Sequence, residues 1–254
     1  MDIFGSLLPA FAVSLGVFIA LWPISVLIRD VSIVDAWWGP GFLAAVLIAW
    51  DGQTDTRTVL LLGLVGIWAL RLGIVMIRRR LAHGAEDSRY QLLREGWGAS
   101  FWWKSLFVVF LLQGILQCII ALPPLMVLSV QPVSMGILGV IGGAVAFAGL
   151  ALEAIADHQL DAFKRTNAKG EICKTGLRAH VRHPNYTGEM IFWFGIWLIA
   201  TEAGAWWTAI SPLLLVFLLT KVSGAPMLMD SMSRSRPGYV AYTKMTPAFL
   251  PKVS

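Results

Sequence analysis

The chain carries little charge. Asp, Glu, Lys and Arg make up only 14% of its 254 residues, while 57% are hydrophobic; soluble domains carry about 25% charge. That deficit excludes a soluble domain, and the apolar excess excludes disorder. Cysteine is almost missing: Cys118 and Cys173 are the only two, too few for a disulfide framework or a Cys-rich metal site. Four histidines, His83, His158, His180 and His183, are too few for a histidine-box di-iron centre. Tyrosine is scarce as well, with four against twelve tryptophans. No internal repeat or low-complexity tract is visible, which argues against the repeats common in transporters. What remains is an integral membrane protein.

A membrane-crossing helix takes about 20 mostly apolar residues. The apolar runs predict an all-α membrane protein of seven transmembrane helices, at roughly 3–28, 31–50, 57–77, 105–129, 134–158, 187–202 and 205–221, in one domain covering 1–254. The first run is too long for a signal peptide and lacks a basic leader and a cleavage site. Between and after the runs lie short segments at 51–56, 130–133 and 203–204, and long polar ones at 78–104, 159–186 and 222–254. The long ones, with Arg29 and Lys221 at the helix ends, hold 18 of the 20 Lys and Arg residues. The positive-inside rule then puts the N-terminus outside and the C-terminus in the cytosol. The net charge of +5 reads as topology, and no nucleic-acid partner is required.

Charged residues within membrane spans are costly and usually functional. Asp35, Arg71, Glu153, Asp157 and Glu189 all fall in the inner halves of their predicted helices. The simplest expectation is one polar cavity open to the cytosol, with Arg71 paired to one of the acids. Asp35 is followed by Trp37, Trp38 and an apolar run. A carboxyl desolvated there is expected to stay protonated and to serve as a proton donor. Asp157 and Glu189 can equally snorkel to the inner headgroups. Glu153, Asp157 and Asp161 recur at i, i+4 and i+8 on one helical face. That stripe suits hydrogen bonding to a ligand, with Lys164 and Arg165 balancing its charge. A metal site is the weaker reading, because no second Glu-x-x-His motif accompanies it.

The segment 159–186 is rich in donors and ends in Arg182-His183-Pro184-Asn185-Tyr186-Thr187-Gly188-Glu189. Pro184 fits a helix start, and a helix N-terminus favours anions. Arg178, Arg182 and His183 are candidates for phosphate contacts; the competing reading is ordinary inner-face charge against acidic lipid. Tyr90, Tyr186, Tyr239 and Tyr242 all fall in the polar segments or at their membrane edge. They read either as an interfacial belt or as ligand contacts.

At this motif the sequence resembles the membrane-embedded steroid 5-alpha-reductase family. It looks closest to a bacterial branch once described as a domain of unknown function. That branch is similar in Ser32-Ile33-Val34-Asp35-Ala36-Trp37-Trp38-Gly39, in Glu86-Asp87-Ser88-Arg89-Tyr90, in Ser223-Gly224-Ala225-Pro226 and in Arg236-Pro237-Gly238-Tyr239. The Arg-His-Pro-x-Tyr-x-Gly core is shared with sterol C14 and C24 reductases and with isoprenylcysteine carboxyl methyltransferases. The resemblance implies a seven-helix fold in the bacterial inner membrane, with NADPH bound from the cytosolic side. It implies an oxidoreductase of the 3-oxo-5-alpha-steroid 4-dehydrogenase type, acting on the CH–CH group of a steroid or other lipophilic substrate. Carried over residue by residue, it assigns Asp157, Asn185 and Glu189 to the nucleotide. Glu153 stands where the family has Asn, Lys164 where it has Arg, and Lys221 near a C-terminal Arg. Steroid reductases pair an acid of the second helix with a Tyr of the third. Here Asp35 lies in the acid's region, but Trp68 occupies the Tyr position.

These readings combine into one expected site. Arg89, Tyr90, Arg178, Arg182 and His183 hold the NADPH phosphates. Glu153, Asp157, Lys164, Asn185, Tyr186, Glu189, Lys221, Tyr239 and Tyr242 complete the cofactor set, and no metal is involved. Asp35 is the acid, with Trp38 and Trp68 shaping an apolar substrate pocket. The alternative is an S-adenosylmethionine-dependent methyltransferase of the isoprenylcysteine type. Against it, a Glu-Glu pair expected near the C-terminal motif is replaced by Met229-Asp230. A third reading is a lipid-binding protein without catalysis.

Overall fold

The fold is taken from a computed structural model, which describes residues 3–130, 134–168 and 170–251. Lys169 and Lys252, counted above among the basic residues of the polar segments, lie outside the described residues, as does most of the segment 130–133. The described residues are helical, with no strand among them.

Helices α1 (Ile3–Ile28), α2 (Ile33–Ala49) and α3 (Thr56–His83) follow in order. Next come α4 (Ser88–Trp97) and α5 (residues 101–120), the latter with a π-helical stretch at Leu106–Leu111. Then come α6 (Leu122–Leu128), α7 (Ile137–Thr166), the short α8 (Leu177–His180) and α9 (Pro184–Glu202). The chain ends with α10 (residues 206–222), α11 (Ala225–Ser235) and α12 (Tyr239–Met245). Five helical stretches are long and apolar enough to cross a membrane: Leu7–Ile28, Thr56–Ala82, Ser88–Ile120, Ile137–Thr166 and Trp206–Ser235. α2 is apolar but shorter.

The polar segments are more ordered than their composition predicts. Much of 78–104 continues α3 or forms α4, and the tail from 222 forms α11 and α12. The predicted helix 105–129 breaks at Ala121, where Pro123 and Pro124 open a new helix, α6. Proline lacks the N–H an uninterrupted helix needs and is tolerated in a first turn.

The chain divides into two compact units, Met1–Val140 with Trp197–Ser211, and Ile141–Ile196 with Pro212–Ser254. In the first, α2 packs on α1 and α3. A Cβ at Gly39 would collide with the Ala69 carbonyl and the backbone of Gly73, so the α2–α3 crossing is made backbone to backbone. In the second unit α7 and α9 meet the same way. A Cβ at Gly149, Gly188 or Gly195 would strike the backbone of the opposite helix. Small residues at such crossings let helices approach closely without a solvent-driven hydrophobic force.

Arg57, at the outer end of the predicted third span, is buried in the first unit. It pairs with Glu202 at 3.4 Å. Glu202 also accepts the N–H groups of Gly136 and Gly139 at the start of α7. Removing one partner of a buried pair strands the other charge and costs about 3–5 kcal/mol. Glu202→Ala should therefore cost that much in a denaturation series in detergent. The double change Arg57→Met, Glu202→Met should cost less than Glu202→Ala alone; a larger loss would contradict this account of the pair.

Candidate functional site

Chemistry-bearing side chains gather in two places, one in each unit. The first is built by the turn between α3 and α4. Asp87 caps α4, accepting the Arg89 N–H at 3.0 Å, while its own N–H donates to Ser32 Oγ at 2.7 Å. Glu86 accepts the Val31 N–H at 2.9 Å and both Nε and Nη2 of Arg94. Asp30, on the turn before α2, pairs with Arg80 at 2.8 Å. These bonds tie the start of α4 to the start of α2. Burial alone pushes the Asp87 carboxyl upward, but the hydrogen bond and charge of Arg89, with Arg79 nearby, hold it below the usual carboxylate range.

Asp35 is what this staple presents to α4. Its Oδ2 lies 2.6 Å from Arg89 Nη2, and its Oδ1 accepts the Tyr90 hydroxyl at 2.7 Å. The guanidinium at Asp35 thus comes from α4. Both carboxyl oxygens act as acceptors. Tyr90 is buried. Its hydroxyl gives Asp35 a phenol partner from α4, where the third helix has Trp68. Arg89 is likewise committed, with Nε and Nη2 on Asp87 as well as on Asp35.

Inward from Tyr90 the polar contacts continue. Gln113 Nε2 donates to the Tyr90 oxygen at 3.1 Å, and Trp38 Nε1 donates to Gln113 Oε1 at 2.6 Å. Trp38, Phe42 and Trp68 form an aromatic row, with Phe42 edge-to-face on Trp68 at 5.2 Å. Trp68 is fully buried and serves the core of the first unit. Trp37 packs against the cluster of Phe18, Val34 and Tyr90.

The second place is the Arg182–Glu189 motif. The tail runs beside it: Arg182 and His183 donate their N–H groups to the carbonyls of Pro247 and Ala248, and Thr187 Oγ1 donates to that of Phe249. The His183 ring stacks on Tyr186 at 5.5 Å and lies 5.9 Å from Phe249. Arg178 Nη1 donates to the Arg182 carbonyl, and the Tyr242 hydroxyl donates to the Arg178 carbonyl. Burial pushes the Tyr242 phenol up, which keeps it a donor. Tyr239 is buried against Tyr242.

The charge balance of this group is unusual. Neither Arg178 nor Arg182 has a carboxylate partner among the described residues. Arg182 Nη1 instead meets the thioether of Met229 at 3.7 Å. Nε of Arg178, Nε of Arg182 and Nε2 of His183 are buried and lack a hydrogen-bond partner. Buried donors without acceptors are rare, and each calls for an explanation such as a bound group. The donor set fits an anion such as a phosphate.

Burial, then the charges of Arg182 and Arg178, push His183 down to about 4. The unfolded state then binds a proton that the folded state rejects. Stability should fall as pH drops from about 6.5 towards about 4. The thermal midpoint followed across that interval should decline, and His183→Gln should flatten the decline. An equal slope in the variant would place the titration elsewhere.

Glu153 is buried at the α7–α9 crossing, its Cγ against Gly188. Asp157, Asn185 and Glu189 are half-buried, whereas Lys164 and Lys221 are exposed. All of these belong to the second unit. Gln113 and Phe249 escape the sequence reading, and Met229 and Thr187, though part of its motifs, are not assigned to the site by it. The one available signal was Gln113 with Gln117, two amides at i and i+4 within an apolar run.

A family model described as "Protein of unknown function (DUF1295)" matches residues 21–246. No curated protein and no solved structure matches the chain.

Proposed function

We propose, from the premise that the chain belongs to the DUF1295 family, one related to steroid 5-alpha-reductase-like membrane proteins, that it is a membrane-embedded NADPH-dependent reductase. Its substrate in this reading is a lipophilic enone, steroid-like or otherwise. Seven spans, with the N-terminus outside and the C-terminus in the cytosol of a bacterial inner membrane, complete the reading. The asymmetry of the basic residues supports that orientation.

The observation that carries the proposal is the pair of buried, acceptor-less Nε–H groups on Arg178 and Arg182, beside the unpartnered Nε2 of His183. A nucleotide phosphate supplies what these donors lack. S-adenosylmethionine offers the two guanidinium groups a single carboxylate and carries a sulfonium cation they repel, a poorer match than a phosphate. In this reading Arg178, Arg182 and His183 hold phosphate oxygens. Tyr186, Tyr239, Tyr242, Asn185, Glu153, Asp157 and Glu189 stay in the nucleotide set, and Lys164 and Lys221 contribute long-range charge from the surface. When bound, the nucleotide supplies a hydride.

In this reading Tyr90 is the proton donor. Tyr90 hydrogen-bonds to the substrate carbonyl oxygen and delivers its proton there as charge develops. Asp35, partly exposed and bonded to Tyr90, passes a solvent proton back to the phenol. Arg89 orients Asp35. Trp38 and Trp68 exclude water from the surrounding core. Hydride at the β-carbon and the proton on the carbonyl oxygen give an enol, and its tautomerisation moves a proton from oxygen to the α-carbon and leaves the C=C bond saturated.

Thermal stabilisation of the detergent-purified protein tests this, because a ligand that binds only the folded state raises the midpoint. NADPH should raise it more than NADH or S-adenosylmethionine does. Stabilisation by S-adenosylmethionine alone would support a methyltransferase instead. No response to any of the three would favour a lipid-binding protein.

A further inference from the structure

We infer that Gln113 is a positioning residue, which fixes the direction of the Tyr90 hydroxyl and supports the oxygen that remains after its proton leaves. This rests on reading Asp35 and Tyr90 as the proton-delivering pair.

Hydrogen-bond chemistry makes the chain one-way. The indole N–H of Trp38 can only donate. The Gln113 oxygen at 2.6 Å must therefore be the carboxamide acceptor, which settles the amide's orientation. Its nitrogen then faces Tyr90 at 3.1 Å and, being a donor only, obliges the phenol oxygen to accept. Without a substrate the Tyr90 proton has one remaining direction, towards Asp35 Oδ1 at 2.7 Å; a substrate carbonyl competes with Asp35 for that proton while Gln113 keeps its hold on the phenol oxygen. The order Trp38, Gln113, Tyr90, Asp35 cannot run backwards, because the indole offers no acceptor. A donor held on the phenol oxygen also stabilises the phenolate left once the proton has gone.

α5 is anchored where this requires. Gln117, one turn after Gln113, is fully buried. Its Nε2 donates to the Trp38 carbonyl at 3.1 Å, and its Oε1 accepts the Ser14 hydroxyl at 2.5 Å. A Cβ at Gly41 would sit 2.5 Å from the Gln117 amide, so α2 is shaped to admit that side chain. Two amides of α5 thus grip one residue of α2. Gln117 takes its backbone, and Gln113 takes its side chain and passes the polarity on to Tyr90.

Fluorine NMR on the whole protein, with fluorotyrosine at all four tyrosines, tests the inference. The Tyr90 line is assigned by its loss in Tyr90→Phe. Gln113→Met should shift it by more than a linewidth. Trp38→Phe should shift it too, but only while Gln113 is present; in the Gln113→Met background it should add nothing. An unmoved line in Gln113→Met would overturn the inference. So would a Trp38→Phe shift of equal size in both backgrounds, which would mean packing alone. If Gln113→Met does not fold, Gln113→Glu at alkaline pH serves, since its carboxylate accepts from Trp38 but cannot donate to Tyr90; the same Tyr90 shift is expected. Asp35→Asn separates the two readings. A Tyr90 line that answers to Asp35→Asn and not to Gln113→Met removes only Gln113. A line indifferent to Asp35→Asn removes the Asp35–Tyr90 pair itself. Once a substrate is in hand, Gln113→Met should lower kcat about tenfold, the effect of one lost hydrogen bond, with KM unchanged.

Discussion

Tyr90→Phe should lower enone turnover by about 100- to 10,000-fold, the range of a lost general acid, and leave NADPH affinity unchanged. The ring stays in the cluster with Phe18, Val34 and Phe110, so the core is kept and only the hydroxyl goes. Asp35→Asn should act in the same direction. The amide retains the shape but removes the charge that holds Arg89 at 2.6 Å, and it cannot return a proton to the phenol. Steady-state kinetics with a titration of NADPH separate the effects: kcat should collapse while the nucleotide dissociation constant holds. Full activity in Tyr90→Phe would mean that the proton comes from elsewhere.

Arg182→Ala should weaken NADPH binding about ten- to a hundredfold, as expected for losing a charge-assisted hydrogen bond. The sharper variant is Met229→Glu. Arg182 Nη1 now rests on the Met229 thioether at 3.7 Å, which leaves its charge uncompensated. A carboxylate at 229 would neutralise it from within and compete with a phosphate. Met229→Glu should therefore weaken NADPH by a similar factor, and Met229→Leu should leave it unchanged. Isothermal titration against the three variants checks this. Equal affinity in Met229→Glu and the unaltered protein would remove Arg182 from the phosphate site.

The helices were the legible part of the sequence. Apolar runs placed α1, α2, α9 and α10 within a few residues, and the starts of α3 and α7, because burial in lipid demands continuous hydrophobicity; α3 and α7 run on past the apolar stretch to His83 and Thr166. The ordered polar segments were not legible. α4 is charged on its surface, and its stability comes from Asp87 and Glu86 reaching the start of α2, contacts no local pattern encodes. Asp35 was legible as a costly charge in an apolar run, but its partners were not. Arg89 and Tyr90 lie more than fifty residues away along the chain, and their motif reads equally well as a phosphate clamp. The Arg182–Glu189 motif announced its donors. It did not announce that the tail would occupy the backbone N–H groups of Arg182 and His183, nor that the guanidinium groups would lack acids.

A reductase consumes its nucleotide and its lipid together, so both reactants are followed at once. Protein in detergent or nanodiscs is mixed with NADPH and a panel of lipophilic enones. NADPH oxidation is read by absorbance and the lipid product by mass spectrometry. The account predicts that one NADPH is consumed for each enone gaining two hydrogens, and that Tyr90→Phe abolishes both signals. Transfer of a methyl group from S-adenosylmethionine to the lipid, with NADPH untouched, would contradict it.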